Sequence, residues 1–253
     1  MLLKDLVKKL NDKLNLSSFA GDISINGLQV EGKEEVKKII FAVDASLELF
    51  EIAKERKADF IFVHHGISWG SEPRRIIGSV AKRLKVLLKN DISLYAAHLP
   101  LDAHEELGNN ANLAKFAGLT NLTPWFKYDG VYIGFAGVLA QFATVSQIAK
   151  NISLAIKAEG NILGNKDLIP KKVVVCSGGG GSSALNEALA VGADLLITGE
   201  MTHTMYHFAK ENNISVISFG HYSSETVGPK AVMEYIEKEF NLQCEFVDLP
   251  TGM

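Results

Sequence analysis

The stretch Ala58-Asp59-Phe60-Ile61-Phe62-Val63-His64-His65-Gly66 decides how this chain folds. Its central residues are apolar without interruption, which is typical of a strand buried on both faces of a parallel sheet. The apolar run ends on two histidines, and Gly66 lets the chain turn sharply after them. The sequence therefore predicts a buried strand whose carboxyl end presents two imidazoles.

Strands and helices alternate on both sides of this stretch. The predicted elements are, in order, strand Ile39–Val43, helix Ser46–Lys57, strand Phe60–Val63, helix Ile77–Leu88 and strand Ile92–Ala97. This β-α-β-α-β order predicts a parallel sheet with right-handed crossovers. A further predicted helix ends at Gly118, and we place the end of a first α/β half there, at residues 1–118.

The remaining residues, 119–253, repeat the plan as a second α/β half. Its predicted elements are strand Val173–Cys176, helix Ser183–Ala190, strand Leu195–Thr198, helix His203–Glu211, strand Ile214–Phe219, helix Thr226–Phe240 and strand Gln243–Leu249. Residues 119–172 form a predicted joining segment with a strand, Tyr132–Leu139, and a helix, Val145–Ile156. The predicted fold class is α/β, with two similar halves whose sheets are mainly parallel.

The two halves also show matching residues, which indicates an internal duplication. Ala58-Asp59 precedes the strand that ends at His64-His65, and Ala193-Asp194 precedes the strand that ends at Gly199-Glu200. After the third strand of each half, a histidine is followed four residues later by a carboxylate. These pairs are His98 with Asp102 and His221 with Glu225.

Composition excludes several classes of protein. Of 253 residues, 47% are apolar and 22% charged, and the net charge of −3 lacks the basic surface that nucleic-acid binding requires. Apolar runs are too short to span a membrane. In the first ten residues apolar positions recur at helical spacing and are interrupted by charges, unlike a secretory signal. The two cysteines, Cys176 and Cys244, indicate no disulfide framework. We expect a cytoplasmic protein that binds neither nucleic acid nor membrane.

Six side chains at predicted strand ends form a candidate metal site. They are His64, His65, His98, Asp102, His221 and Glu225. Mixed imidazole and carboxylate ligands favour Fe, Zn, Mn or Ni over Mg or Ca. Six groups exceed the need of one catalytic ion with an open position, so we expect two divalent ions in a cleft between the halves.

Several residues near this set have alternative interpretations. His98 could instead orient a ligand by hydrogen bonding. His203 and His207 have helical ligand spacing, which is also common on solvated helix faces. Glu200 is either a catalytic proton acceptor or an ordinary loop carboxylate. The loop from Ser177 to Ser183 is either a phosphate cradle or a tight turn, and we favour the turn.

These residues, in this order, resemble the NGG-one-interacting-factor-three-like family, whose bacterial members are labelled GTP cyclohydrolase type-two-like. The matching stretches are Asn26–Val30, His64–Gly66 with Trp69, Leu101–Ala103, Asn109–Gly118, Cys176–Gly180, Thr198–Glu200 with His207, and Gly220–Glu225. The resemblance implies a dinuclear metal site held by His64, His65, Asp102, His221 and Glu225, with His98 close by. It also implies a ring-shaped homohexamer. Many members carry a long inserted domain between the halves, which is absent here.

Three functions are compatible with such a site. A metal-dependent hydrolase would act on a small molecule through a metal-bound hydroxide, with Glu200 or His98 moving protons. A metal carrier, for example of iron, would deliver ions to an acceptor without turnover. A scaffold would use closed metal coordination only to hold its halves together. We rank hydrolase and carrier nearly level, and the sequence has no Cys-rich deaminase signature for reading a nucleobase.

Overall fold

The chain folds into two compact units. The computed structural model describes residues 1–70 and 75–253. The first unit consists of residues 1–101 and 228–249, and the second of residues 102–227 and 250–253. The predicted boundary at residue 118 therefore differs from this division, for reasons that lie in the sheets described below.

The structure contains helices and strands throughout both units. The helices are α1 (Leu3–Lys13), α2 (Leu47–Glu55), α3 (Gly78–Lys89), α4 (Leu99–Ala103), α5 (Asn109–Phe116), α6 (Val145–Ile156), α7 (Gly181–Ala190), α8 (Met205–Glu211), α9 (His221–Ser224) and α10 (Val227–Phe240). The strands are β1 (Gly27–Val30), β2 (Lys38–Asp44), β3 (Phe60–His65), β4 (Ser93–Ala96), β5 (Leu119–Tyr128), β6 (Val131–Leu139), β7 (Asn161–Leu163), β8 (Val173–Cys176), β9 (Leu195–Thr198), β10 (Ser215–Ser218) and β11 (Gln243–Phe246). Among the described residues, no helix combines the length and apolar character that crossing a membrane requires.

The sheet of the first unit has five strands in the order β1-β4-β3-β2-β11. Its four strands from β4 to β11 are parallel, and β1 joins antiparallel at the edge. Fully buried Ile40, Ile61 and Leu94 pack in the core with Leu49 and Phe50 of α2. Strand β11 was predicted as part of the second half, but it pairs with β2 of the first unit. Strand pairing depends on long-range contacts, which the sequence pattern does not reveal.

The sheet of the second unit has six strands in the order β5-β6-β8-β9-β10-β7. Its centre, β8-β9-β10, is parallel, and antiparallel strands flank it. Ile148 and Ile152 of α6 are fully buried in the same core cluster as Val175 and Ile197. The predicted joining segment thus supplies β5, β6, α6 and β7 of this unit. Two similar α/β halves are confirmed.

The two units repeat the same hydrogen bonds at the start of the central strand. Asp59 Oδ2 accepts from the N–H groups of Lys37 at 2.7 Å and Lys38 at 3.0 Å. In the second unit Asp194 Oδ2 accepts from two consecutive N–H groups at the same distances, those of Lys171 and Lys172. Both aspartates thereby fasten the central strand to the start of its neighbour, which supports the predicted duplication.

A second matched pair of hydrogen bonds ties the antiparallel edge strand to each sheet. Ser93 Oγ accepts from the N–H of Gly32 at 3.0 Å, and Ser215 Oγ accepts from the N–H of Asn165 at 3.1 Å. Both serines are buried. The similarity of the two units therefore includes the antiparallel edge strands as well as the parallel strands.

The strand register corrects one detail of the predicted duplication. Phe60 pairs with Ser93 in the first unit, and Leu195 pairs with Ser215 in the second. His98 lies five residues after Ser93, whereas His221 lies six residues after Ser215. Within the sheet frame the counterpart of His98 is therefore Gly220, and the predicted equivalence of the two histidines is wrong by one residue.

Candidate metal centre

Three histidines lie together at one edge of the first unit. His64 and His65 end β3, and His98 follows β4, its parallel neighbour. Because parallel strands present their carboxyl ends at the same edge of the sheet, the three side chains meet there. One ring nitrogen of each lies within 4.8 Å of the others. Imidazoles from two strands thus form one cluster.

An oxygen acceptor holds the Nδ1 atom of each histidine in this cluster. His64 Nδ1 lies 2.8 Å from the carbonyl oxygen of Ala97, and His65 Nδ1 lies 2.7 Å from Asp44 Oδ1. His98 Nδ1 lies 2.9 Å from Asp22 Oδ1. Carbonyl and carboxylate oxygens only accept, so we assign the proton to Nδ1, which donates. The Nε2 atom then keeps the lone pair that a metal ion needs.

Asp22 is a buried carboxylate surrounded by donors. Its side chain is fully buried, and besides His98 it accepts from Asn26 Nδ2 at 2.8 Å and from the N–H groups of Ser24 and Leu99. Burial alone would raise the pKa of Asp22, but the hydrogen bonds from His98 and Asn26 outweigh it and hold the pKa below its ordinary value. Asp22 therefore stays ionised and fixes the His98 ring.

The second unit presents one histidine with two carboxylates around it. His221 Nδ1 donates to Glu200 Oε1 at 2.7 Å, and His221 Nε2 lies 3.3 Å from Glu225 Oε2. The hydrogen bond with Glu225 outweighs burial and, together with Glu200, raises the pKa of His221 to about 9. Glu225 is only 3% exposed. His221 therefore carries a proton at neutral pH and forms an ion pair with the buried Glu225.

Asp102 is buried in a separate network of the second unit. Asn109 Nδ2 donates to Asp102 Oδ1 at 2.9 Å, and Ser177 Oγ lies 3.3 Å from the same oxygen. Asn110 Oδ1 accepts from the N–H of Ser177 at 2.6 Å, and its amide group donates to the carbonyl oxygen of Ile133. Two adjacent buried asparagines thus connect Asp102 with the start of the glycine loop.

The glycine loop lies directly against His221 and Glu225. Gly178 has a φ of +61°, and a methyl group there would overlap the carboxylate of Glu225. An added Cβ at Gly179 would lie 3.5 Å from His221 Cε1. The N–H of Gly178 donates to Ser224 Oγ at 3.0 Å. Glycine is needed here for close approach of the backbone, which fits the tight-turn interpretation better than a phosphate cradle.

Comparison with known proteins identifies the family. The sequence profile of Duf34/NIF3 (NGG1p interacting factor 3) matches residues 1–251. The chain belongs to the Duf34/NIF3 family. Relatives named GTP cyclohydrolase 1 type 2 homolog include one from Archaeoglobus fulgidus, 44% identical over 100% of both chains, and one from Pyrococcus horikoshii, 46% identical over 98% of both chains. The resemblance seen in the sequence is confirmed.

Solved structures show the same fold as this NIF3-family chain. Protein ybgI, of unknown function, covers 100% of both chains with a TM-score of 0.90 and 36% identity. TTHA1606 from Thermus thermophilus does so with a TM-score of 0.87 and 40% identity. Reduced HcgD from Methanocaldococcus jannaschii has a TM-score of 0.86 and 28% identity over 98% of both chains.

Two candidate histidines of the NIF3-family chain lie elsewhere. Helix α8 begins at Met205, so His203 precedes it, and the predicted helical spacing of His203 and His207 is wrong. Both side chains are exposed, and neither occurs in the groups of described residues that could hold a metal ion. Trp69, by contrast, lies against the cluster, with its ring 5.1 Å from that of His98.

The carboxylates that orient histidines were not predicted in the first unit. Asp44 is the last residue of β2, and Asp22 lies in a loop before β1. Neither has a histidine at a recognisable spacing, because their partners are 21 and 76 residues away. The nearest signal was the stretch Asn26-Gly27-Leu28-Gln29, which the family resemblance includes but which carries no metal ligand.

Proposed function

We propose that this NIF3-family protein binds two divalent metal ions per chain through six side chains. They are His64, His65 and His98 of the first unit and Asp102, His221 and Glu225 of the second. The observation that carries the proposal is the hydrogen bond at the Nδ1 atom of each histidine. In all four histidines an oxygen acceptor holds this atom, the arrangement by which proteins orient metal-binding imidazoles.

The donor set supports transition metals over hard cations. Four imidazoles and two carboxylates suit Zn, Fe, Mn or Ni, whereas Mg and Ca prefer shells of oxygen atoms. Both carboxylates are almost fully buried, at 5% exposure for Asp102 and 3% for Glu225. Buried carboxylates are favourable ligands for cations, because a nearby positive charge offsets the cost of burying them. The residues present therefore fit the metals that the family resemblance implies.

We propose metal-dependent hydrolysis of a small molecule as the activity. Bound divalent ions lower the pKa of water and polarise a substrate oxygen. Glu200 Oε1 holds His221 Nδ1, which leaves Glu200 Oε2 to accept a proton from the attacking water or to return it to the leaving group. Trp69 covers one side of the His65 and His98 rings and would exclude water there. An ester, an amide or a purine-type ring would suit this chemistry.

A metal carrier is the second candidate, and the exposure of the histidines favours it. The side chains of His65, His98 and His221 are 19%, 18% and 32% exposed. Accessible imidazoles allow an incoming acceptor to replace one ligand at a time. Iron or a similar ion would then be delivered for cofactor assembly without turnover of a substrate.

The cysteine content favours the cytoplasm, and the family resemblance implies a hexamer. We propose a cytoplasmic homohexamer. Exposed apolar side chains of the second unit, including Phe142 at 93% and Leu154 at 72%, are consistent with burial against further copies. Light scattering after gel filtration measures the mass directly, and a monomeric mass of 27.5 kDa would contradict this part of the proposal.

Metal content tests the central proposal. The protein is purified without an affinity metal, loaded with zinc or manganese, and analysed for bound elements. We expect two ions per wild-type chain and a loss of bound metal in both His65→Ala and Glu225→Ala. His203→Ala, which removes an exposed histidine outside the cluster, is the matched control and keeps both ions. Two ions in each ligand variant would refute the site.

A substrate screen separates the two candidate activities. Esters, amides and nucleotides including GTP are tested with Mn, Fe and Zn, for wild type and Glu200→Gln. Hydrolysis predicts turnover that falls in Glu200→Gln while bound metal is largely retained. A carrier predicts no turnover and transfer of bound ion to an acceptor chelator. Metal-dependent turnover that Glu200→Gln leaves unchanged would remove Glu200 from the mechanism.

A further inference from the structure

One segment of the first unit contacts both loops that carry its histidines. This segment, residues 22–29, precedes and enters β1, whose backbone pairs with β4 from Gly27 to Val30. Three of its polar side chains, Asp22, Asn26 and Gln29, point at those loops and are here called the clamp. None of the three is in the proposed ligand set.

Asp22 and Asn26 hold the loop of His98. Asp22 accepts from the ring of His98 and from the N–H of Leu99, the next residue. Asn26 Oδ1 accepts from the N–H of His98 at 2.7 Å, and Asn26 Nδ2 donates to Asp22 Oδ2 at 2.8 Å. The ring and the backbone of His98 are therefore fixed by two side chains that also bind each other.

Gln29 holds the loop that follows His64 and His65. Its Oε1 atom accepts from the N–H groups of Ile67 at 2.7 Å and Ser68 at 3.2 Å. Its Nε2 atom donates to the carbonyl oxygen of Ile25 at 2.7 Å. The amide group occupies the space that a side chain at position 66 would need, which explains the glycine after the histidine pair.

We propose that the clamp is a positioning device that fixes the His98 ring and the loop after His64 and His65 in a geometry that suits metal binding. Each of its hydrogen bonds joins two residues of the first unit and involves no metal ligation, so the clamp can hold the His98 ring and both loops ahead of binding. Preorganisation of this kind strengthens binding because less conformational entropy is lost with the ion. The purpose of the clamp rests on the proposed function.

Zinc affinity and the state of the His98 ring test the clamp. Asp22 uses both carboxylate oxygens as acceptors, and an amide offers only one, so Asp22→Asn cannot satisfy all its donors. We expect zinc affinity, measured by competition with a chelator, to fall about 10–100-fold in Asp22→Asn. Imidazole ¹⁵N resonances of the metal-free protein report the tautomer. Wild type should show a single Nδ1–H form of His98, and Asp22→Asn a mixture.

Gln29→Ala tests the other end of the clamp and covers a failure of Asp22→Asn to fold. It touches no histidine ring, so we expect weaker zinc binding with unchanged His98 resonances. Asp12→Asn, the same change at an exposed carboxylate of α1, is the control and keeps wild-type affinity. If wild type binds no zinc, the proposed function fails. If wild type binds zinc and both clamp variants bind it equally tightly, only the clamp is refuted.

Discussion

The two units share a frame of strands and differ in the residues at the strand ends. In the first unit Asp44 stands opposite His65 across β2 and β3. Continuing the register of β8 and β9 two residues beyond Cys176 and Thr198 places Gly178 opposite Glu200. Asp44, which orients the imidazole of His65, thus corresponds to Gly178 in the second unit, and His65 corresponds to Glu200.

This difference separates the residues that hold the fold from those proposed to bind metal. The paired hydrogen bonds of Asp59 and Asp194 lie at the amino ends of the central strands and are the same in both units. The residues that differ lie at the carboxyl ends, where loops can change without disturbing the sheet. A duplicated frame can therefore carry mainly imidazoles in one unit and mainly carboxylates in the other.

The largest expected effect comes from breaking the more buried of the two shared aspartate contacts. Asp59→Ala leaves two N–H groups near the strand start without an acceptor, at about 1–3 kcal/mol each. We expect a loss of about 3 kcal/mol in the free energy of unfolding, measured with urea. Asp59 is 5% exposed, whereas Asp194 is half-buried, so water replaces the lost acceptor more easily there. Asp194→Ala should cost about 1 kcal/mol, and equal losses would contradict this difference.

Acidification should weaken the hydrogen bonds of Asp59 in the wild-type protein. Burial alone would raise the pKa of Asp59, but Lys33 and the N–H groups of Lys37 and Lys38 outweigh it and lower the pKa. A lowered folded-state pKa means that the contribution of Asp59 is complete above about pH 4, the ordinary aspartate value. It is lost as the pH falls through the lower folded-state pKa. Asp59→Asn should lack this part of the acid dependence.

Such frame residues were largely predictable, because buried strands leave a continuous apolar signal. The predicted strand Phe60–Val63 and the observed β3, Phe60–His65, start at the same residue. Helix Val145–Ile156 was predicted with its observed bounds from its amphipathic pattern, and the structure adds a capping box of Thr144 and Gln147 at its start. The edge strands β1, β5 and β7 were missed, because their short or half-exposed sequences lack that signal.

A smaller effect should appear where the two units differ. Gly178→Ala places a methyl group against Glu225 and strains a backbone with positive φ, which costs about 1 kcal/mol in stability. Displacing Glu225 should also weaken metal binding. Gly181→Ala is the matched control, because its φ of +57° carries similar strain but its Cβ would meet open space. Zinc titration should separate the two variants, and equally weakened binding would show that strain alone is responsible.

The smallest expected effect tests whether the edge strands of the two units are equivalent. Ser93→Ala and Ser215→Ala each remove one buried acceptor of an N–H group that lies two residues after an edge strand. We expect losses of about 1 kcal/mol in both, equal within experimental error. Thermal and urea unfolding measure them. Losses that differ several-fold would show that the two edge strands are not equivalent parts of a duplication.

The site was predicted less completely than the frame, for a reason of distance along the chain. The histidines at strand ends can be predicted, because the apolar runs of the preceding strands stand out in the sequence. Asp22 and Asp44 act on them only through the fold, and sequence spacing carries no trace of that contact. The register shift between His98 and His221 escaped for the same reason, since a loop longer by one residue is seen only when the strands are paired.

Strand β11 has a consequence for the order in which the protein forms. The first sheet is finished only when residues 243–246 have left the ribosome, because β11 forms its edge beside β2. The second sheet needs nothing beyond Ser218. During synthesis the second unit can thus complete its strand pairing first, while the edge of β2 stays open to mispairing. The part of the chain that is made first is the last to close its sheet.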